Sequence, residues 1–378
     1  MKPIQMVDLI GQYEKIKPEV DAAVLNVMGS AAFINGPEVK EFEKELSSHL
    51  GVKHTIACAN GTDALQIAMM ALGLKPGDEV ITPSFTFVAT VEVVALLGIV
   101  PVFADVLPGT FNIDPEDIKR KITPRTKAIV PVHLFGQTAD MEAVMAIAKE
   151  NDLFVIEDNC QAVGSTYTFT DGSKRKAGTI GHIGTTSFFP SKNLGCYGDG
   201  GAIFTNDDGL AGKLRRVCNH GSDVRYYHEV VGLNSRLDSL QAAILRIKLR
   251  ELDAYDKARN TAAAYYDKAF ADLEGVVTPE RSSNSTHVFH QYTLRVTGGH
   301  RDGLKKHLEG QGVPAMIYYP VPCHLQNAYR SDRFPEGSLP VTEQLTNEVL
   351  SLPMSTELDP EQLAHITGTV KSYFNKHK

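Results

Sequence analysis

Residues 54–71 read His54-Thr-Ile-Ala-Cys-Ala-Asn-Gly-Thr-Asp-Ala-Leu-Gln-Ile-Ala-Met-Met-Ala71, a short apolar run that passes through Asn60 and Gly61 into a helical pattern. The unit recurs along the chain. Apolar runs at His54–Ala59, Glu79–Thr82, Val100–Asp105, Ala128–His133 and Leu153–Glu157 alternate with helical stretches at Thr62–Leu72, Thr86–Leu97, Pro115–Lys121 and Met141–Asn151. The runs are rich in Val and Ile and mostly lack polar alternation, which suits strands buried on both faces. Strands separated by helices predict a largely parallel sheet with helices on both sides, an α/β fold. Thr185–Phe189 and Ala202–Thr205 read as two further strands joined by a polar, glycine-rich turn.

The pattern changes after residue 206. Leu237, Leu240, Ile244 and Ile247 recur at spacings of three and four, opening a long amphipathic helix that is expected to run to about Tyr266. Its charged residues, Arg246, Lys248, Arg250, Glu251 and Asp253, read as a solvated face. A smaller α/β unit is expected beyond it, with strands at Tyr292–Val296 and Ala315–Tyr319 and helices near 301–310 and 341–350. At roughly 150 residues per domain, 378 residues suit two units. These are expected at 1–250, including an N-terminal helical segment, and at 251–378.

Composition removes several classes of function. With 43% hydrophobic and 22% charged residues the chain can bury a sizeable core. A net charge of −7 argues against a phosphate-backbone binder, which would need a basic face. Apolar runs such as Val91–Phe103 are broken by glycine or proline well short of the roughly 20 residues a membrane helix needs. The opening Met-Lys-Pro-Ile-Gln-Met-Val-Asp lacks the apolar stretch of a signal peptide. Cys58, Cys160, Cys196, Cys218 and Cys323 are odd in number and never spaced CxxC, so neither a disulfide framework nor a structural metal is expected. A cytoplasmic protein is the expectation. No P-loop, no GxGxxG after the first strand and no GxSxG occurs, and His228-Glu229 is followed by Gly232 where HExxH needs its second histidine.

Among residues that can carry chemistry, Lys192 lies in Ser187-Phe-Phe-Pro-Ser-Lys192, after an apolar strand and before four glycines within seven residues. A lysine held there in a desolvated cleft would be nucleophilic; on an open surface it would be a solvated side chain. Leu153-Phe-Val-Ile-Glu-Asp158 sets two carboxylates at the end of a buried strand, where ligands of open α/β sheets bind. Adjacent strand residues face opposite ways, so only one of Glu157 and Asp158 can enter a cleft; a helix cap or solvated turn is the alternative. Gly61 and Thr62 open a helix and offer an anion site, unless Thr62 merely caps it. Phe85 and Phe87, past another strand end, are either a face for a flat ring or buried aromatics. His133, His220, His324 and Cys323 read as core, turn or cleft residues without metal-ligand spacing. A lysine amine, a carboxylate, a helix N-terminus and an aromatic lid are together the parts that pyridoxal 5'-phosphate requires.

The motifs Asn60-Gly-Thr-Asp-Ala-Leu, Pro83-Ser-Phe-Thr-Phe, Pro131-Val-His-Leu-Phe-Gly-Gln, Ile156-Glu-Asp-Asn-Cys-Gln161, Ser187-Phe-Phe-Pro-Ser-Lys192, Gly198-Asp-Gly-Gly201 and Gly232-Leu-Asn-Ser-Arg236 run colinearly along nearly the whole chain. The set closely resembles the DegT-type nucleotide-sugar aminotransferases, pyridoxal-phosphate enzymes of the aspartate-aminotransferase fold (fold type I). The resemblance implies that Lys192 forms the Schiff base with the cofactor and serves as acid and base. It implies Asp158 as partner of the pyridinium nitrogen and Gln161 as contact to the phenolic oxygen. Gly61, Thr62 and Ser187 match phosphate contacts, joined by Asn234 from a neighbouring subunit, and Phe87 matches the ring-stacking position. Phe85, Arg236, Tyr318 and Tyr319 fall where the family lines its substrate cleft.

Gly195-Cys-Tyr-Gly-Asp-Gly-Gly-Ala-Ile-Phe-Thr-Asn-Asp and Asn234-Ser-Arg-Leu-Asp-Ser-Leu-Gln-Ala-Ala-Ile are similar to the subgroup acting on UDP-linked 3-oxo-hexuronates. Tyr318-Tyr319-Pro departs from that subgroup's His-Tyr-Pro. The resemblance implies glutamate as amino donor, a homodimer with shared sites, and a place in surface-polysaccharide (lipopolysaccharide, O-antigen) synthesis. It also permits a 4-keto-6-deoxy sugar as acceptor. A pyridoxal-dependent sugar dehydratase would carry histidine at the position of Lys192, and a non-catalytic binding protein would not need Lys192, Asp158 and Gln161 together.

Overall fold

In the computed structural model, which describes residues 2–376, two helices, α1 (Leu9–Ser30) and α2 (Pro37–Leu50), lead into the sheet. There follow β1 (His54–Cys58), α3 (Gly61–Ala71), β2 (Glu79–Pro83), α4 (Ala89–Leu96), β3 (Val100–Ala104), α5 (Pro115–Lys121), β4 (Thr126–Ile129), α6 (Met141–Glu150) and β5 (Phe154–Asp158). A hairpin of β6 (Thr166–Thr168) and β7 (Lys174–Lys176) interrupts the alternation before β8 (Ile183–Ser187) and β9 (Gly201–Thr205). The local signals are plain in α5. Asp114 caps it by accepting from Glu116 N–H, Pro115 occupies the first turn, and Lys119, Arg120 and Lys121 sit at the negative end of its dipole.

The strands form one sheet in the order β1-β9-β8-β5-β4-β2-β3. Only β9 runs against its neighbours; the other pairings, from β8 to β3, are parallel. Alternate residues of one run enter different cores. Val80, Ile156 and Ile203 pack with Leu65 and Ile67 of α3, while Ile81, Val102 and Val155 pack with Ile118 of α5 and Val144 and Ile147 of α6. Both faces are therefore dry, each such side chain contributing about 1.5–3 kcal/mol on burial, and this is why the runs do not alternate with polar residues.

After α7 (Asp208–Cys218), α8 (Ser239–Phe270) spans 32 residues. Its first half packs Ala242, Leu245, Leu249 and Leu252 against Phe42 and Leu46 of α2 and Phe204 of β9. Its second half packs Ala262, Ala263, Tyr266 and Phe270 into a separate core. That core is built on β10 (Val276–Val277), β11 (Tyr292–Val296), α9 (Arg301–Gly310), β12 (Val349–Leu352) and α11 (Pro360–Asn375), while Leu345 of α10 (Pro340–Glu348) packs with Phe85, Phe111 and Phe135. Ile4 also joins it, and Met6 O accepts from Met354 N–H at 3.0 Å.

Several expectations need correction. Ala315–Tyr319 is not a strand; it makes one bridge, Met316 to Ser351. The strand beside β11 is β12, which the helical pattern near 341–350 had absorbed: α10 stops at Glu348 and Val349 turns directly into extended backbone. The helix expected from Thr86 begins only at Ala89, because residues 84–88 form a loop. The β6–β7 hairpin, α7 and α11 were not anticipated.

Candidate active site

The carboxyl ends of β1, β2, β4, β5 and β8 share one edge of the sheet, and a cavity of about 770 Å³ opens there. The sequence explains how the edge is built. Asn60 caps α3 by accepting from Asp63 N–H at 2.8 Å, so Thr62 is not the cap and its hydroxyl has no partner among the described residues. The first N–H groups of α3 have no acceptor within the helix. Ser187 is brought against them because residue 61 has no side chain: a Cβ there would lie 2.7 Å from Ser187 Cβ. A helix N-terminus and two hydroxyls thus meet on one wall, a site for an anion such as a phosphate.

The alternation of β5 separates its two carboxylates. Glu157 faces inward from the sheet and is fully buried. It accepts from the backbone N–H groups of Gly178 (2.8 Å), Ile180 (2.6 Å) and Gly181 (2.6 Å), and from His133 Nε2 at 2.8 Å. His133 Nδ1 accepts from Ala139 N–H, so the ring's proton lies on Nε2. Asp158 lines the cavity. Its Oδ2 accepts from the Thr90 hydroxyl at 2.8 Å and its Oδ1 from Cys160 N–H at 3.2 Å. Gln161 has a fixed orientation: Oε1 accepts from Phe135 N–H at 2.8 Å, which leaves the amide NH₂ towards the cavity, where it donates to the Tyr319 hydroxyl at 3.1 Å.

Lys192 reaches the cavity from a tight turn in which its N–H bonds Phe189 O at 2.8 Å. Burial lowers its pKa below the ordinary lysine value, against the opposing pull of Cys160 and Asp158. Asn193, its neighbour, donates to Val288 O at 2.8 Å and to Asp256 Oδ1 at 3.0 Å, fastening the lysine turn to α8 and to the segment before β11. Burial, partly offset by that bond, pushes the Asp256 carboxyl up to about 7. The next residues on that segment, His290 and Gln291, line the cavity. Burial, with Lys192 and Arg259 adding to it, holds the His290 imidazole well below its usual pKa, and its Nδ1 has no partner among the described residues.

The two phenylalanines part company. Phe87 is 56% exposed and lines the cavity, with its ring 6.4 Å from that of Tyr319. Phe85 is wholly buried among Phe111 and Phe135 and supports Tyr319 from behind, 6.1 Å away, instead of reaching the cavity. Tyr318 and Tyr319 both line the cavity. Asn234 and Arg236 do not line the cavity of their own chain. Ser235 between them accepts from Ala59 N–H at 3.1 Å, which pins the segment beside the end of β1. Thr90, Asn193 and His290 were not singled out from the sequence, and Cys160 stood there only as one of five scattered cysteines. Thr90 is one more threonine in an apolar helix, and His290 comes from a distant segment that only the fold brings to Lys192.

These groups match the chemistry of pyridoxal phosphate. A desolvated amine, a carboxylate and an amide NH₂ face one space beside an anion site. Residues 14–371 match the DegT/DnrJ/EryC1/StrS aminotransferase family. The chain belongs to that family. This aminotransferase is 48% identical over 373 residues to the "pleiotropic regulatory protein" of Geobacillus stearothermophilus, with 98% of each chain covered. It is 47% identical over 367 residues to the UDP-2-acetamido-2-deoxy-3-oxo-D-glucuronate aminotransferase of Pseudomonas aeruginosa, covering 97% of this chain and 99% of that one. Among solved structures it is similar to S. venezuelae DesV in complex with a ketimine intermediate, at TM-score 0.94 and 40% identity over 99% of both chains. NtdA of Bacillus subtilis with bound cofactor PMP follows at TM-score 0.88 and 34% identity, over 96% of this chain and 82% of that one. The fold is that of the type I pyridoxal-phosphate enzymes, and the aminotransferase depends on pyridoxal phosphate. Among the described residues no group of three or more His, Cys, Asp or Glu could hold a metal ion, and no helix is long and apolar enough to cross a membrane.

Proposed function

We propose that the enzyme transfers the amino group of glutamate to the keto group of a nucleotide-linked sugar, a UDP-linked 3-oxo-N-acetyl-hexuronate, in cytoplasmic synthesis of a surface polysaccharide such as the lipopolysaccharide O-antigen. The observation that carries the chemistry is Lys192, a desolvated amine sharing its cavity with Asp158 and Gln161. The Pseudomonas relative supports the choice of sugar. Relatives at 40% identity carry the names of dTDP-linked 3-amino-trideoxyglucose transaminases, so other deoxy keto sugars are the second reading. Tyr318, where the hexuronate subgroup has histidine, is the position to probe between them.

In this reading Gly61, Thr62 and Ser187 hold the cofactor's phosphate and Phe87 covers its ring. Gln161 donates to its phenolic oxygen, and Asp158 accepts from its ring nitrogen. When bound, pyridoxal phosphate supplies the electron sink that makes a proton on the substrate carbon removable. Lys192 would hold the cofactor through its Nζ, and the same amine, when free, would accept that proton and deliver it back. Its lowered pKa favours the neutral amine that this task needs. Tyr318 and Tyr319 face the sugar. The two units of the chain, divided within α8, enclose the cleft.

A homodimer with shared sites completes the charge balance. The lining carries Asp63, Asp158 and Asp199 as carboxylates, Lys192 as the sole lysine or arginine, and His290 held neutral by burial. Glutamate, a hexuronate and a nucleotide diphosphate are all anionic, so further cationic contacts from a partner subunit would balance the site. The partner subunit's Arg236, with the partner subunit's Asn234 at the phosphate, would supply them.

Adding glutamate to the yellow holoenzyme should convert its absorbance to that of pyridoxamine phosphate, and a panel of nucleotide-linked keto sugars should then restore it, the 3-oxo-hexuronate fastest. An absorbance that glutamate leaves unchanged would end the transaminase reading with this donor. For the shared site, chains carrying Lys192→Ala are mixed with chains carrying Asn234→Ala and Arg236→Ala. Random pairing makes about half the dimers mixed, each with one complete site of two, so roughly a quarter of wild-type activity should return. Mixed dimers that form yet stay inactive would refute sharing.

A further inference from the structure

The Asp158 carboxylate accepts from a backbone N–H and from a hydroxyl, donors that differ in kind. Cys160 N–H is part of the backbone, 3.2 Å from Oδ1. The Thr90 hydroxyl is a side-chain donor from α4, 2.8 Å from Oδ2, and it is 1% exposed. This hydroxyl has a single proton and three acceptors in range, the third being Thr86 Oγ1 at 3.3 Å. Phe87 O lies at 3.4 Å and the carboxylate at 2.8 Å, so the shorter, charge-assisted bond takes the proton. The buried Thr86 hydroxyl stands 3.3 Å from Thr90 Oγ1 and can donate into it, making a chain of two hydroxyls that ends on Asp158.

Thr90 is not committed to its own helix. The N-cap of α4 is Val88, which offers no side-chain cap, and the Thr90 hydroxyl is turned across the cleft to a residue 68 positions away. Threonine in a helix has two common rotamers, and the one seen here sets the hydroxyl on Asp158. The other titratable groups that act on Asp158 are the Lys192 amine, the Tyr319 hydroxyl and the Cys160 thiol, which also hydrogen-bonds the carboxylate; Thr90 is its hydroxyl donor, 2.8 Å from Oδ2.

We propose that Thr90 is a positioning residue for Asp158: its hydroxyl fixes the rotation of the carboxylate and occupies one lone pair of Oδ2, so that the cavity-facing side of the group is presented to the cofactor's ring nitrogen with its negative charge stabilised. The inference rests on the reading of Asp158 as the ring-nitrogen partner. A proton between a ring nitrogen and a carboxylate stays on nitrogen while other donors stabilise the carboxylate's charge. Removing the Thr90 donor moves that proton towards oxygen and weakens the ring as an electron sink.

The test uses holoenzyme reconstituted with pyridoxal phosphate labelled with ¹⁵N in the ring, whose resonance reports protonation of that nitrogen at neutral pH. Thr90→Val keeps the shape and removes the donor; Thr90→Ser keeps the donor. Wild type and Thr90→Ser are expected at the protonated position. Thr90→Val is expected displaced towards the unprotonated one, with kcat lower by about tenfold and the KM for glutamate within about twofold. If Thr90→Val does not take up cofactor, Thr90→Ala carries the same expectation. A donor-less variant that keeps the wild-type resonance overturns the proposal. Asp158→Asn separates the two readings: it should move the resonance furthest. If it moves and Thr90→Val does not, Thr90 alone is misassigned; if Asp158→Asn also leaves it in place, the reading of Asp158 fails.

Discussion

Glu157 and Asp158 leave one strand in opposite directions, and the two regions they enter are finished to different degrees. Around Glu157 every approach is filled: three backbone N–H groups and His133 converge on a carboxylate with no access to the cavity. Around Asp158 the protein supplies Thr90 and Cys160 N–H and leaves the remaining side to the cavity. Saturation marks a group that holds the fold, because a buried charge without its partners is costly. Incomplete saturation beside a cavity marks a group kept for a ligand. Asp256 is a third case: a buried carboxylate behind the lysine turn, with Asn193 as its side-chain donor and a pKa raised to about 7.

The comparison can be broken by substitution. The largest effect is expected at Lys192→Arg, where turnover should fall below detection because a guanidinium stays protonated and cannot carry the cofactor. The melting temperature without cofactor should stay within about 3 °C of wild type. Asp158→Asn should lower kcat by about 100-fold or more with little change in melting temperature. Glu157→Gln should do the reverse, costing about 1.5–3 kcal/mol of stability by urea unfolding while turnover per folded molecule stays within about threefold. A Glu157→Gln enzyme that is stable and inactive would reverse the assignment of the two faces.

Asp256 gives a pH signature of its own. Its folded pKa of about 7 lies above the ordinary carboxyl value of 3.8, so between those values the folded state binds more protons than the unfolded one. Wild-type stability should therefore fall as pH rises from about 4 to about 7 and be flat above, and Asp256→Asn should lack that slope. The gap between the two, by urea unfolding near pH 5 and near pH 8, should widen by a few kcal/mol in favour of the variant. A gap independent of pH would mean that Asp256 is ionised throughout. The smallest effect is expected at Tyr319→Phe, which removes the acceptor of Gln161 Nε2 and should lower kcat by about threefold in steady-state assays.

The large sheet was legible because its physics is local. Runs such as Val80-Ile81 and Val155-Ile156 are apolar at consecutive positions because both faces are dry, whereas the cap of α3 is Asn60 and not the Thr62 that the sequence offered. The candidate site was suggested by it, since Asp158 ends a strand and Thr62 and Lys192 lie past one. The C-terminal unit was less legible. Val349-Leu-Ser-Leu is four residues long and abuts α10 with no breaker, so the helical pattern ran through it and the strand was assigned to Ala315–Tyr319 instead. Phe85 and Phe87 look equivalent in sequence; only the packing of Phe85 on Phe111 and Phe135 removes it from the cavity. Which of two adjacent carboxylates faces the ligand is likewise a matter of pleat, and Thr90 and His290 enter through tertiary contacts that no spacing announces.

The claim on which the rest depends is that Lys192 holds the cofactor at the end of β8. Reduction of the holoenzyme with borohydride fixes the cofactor covalently to whichever lysine carries it. Proteolysis and mass spectrometry should then find the phosphopyridoxyl group on the peptide containing Lys192, one per chain. A label on another lysine, such as Lys176 or Lys248, or one spread over several, would contradict the account.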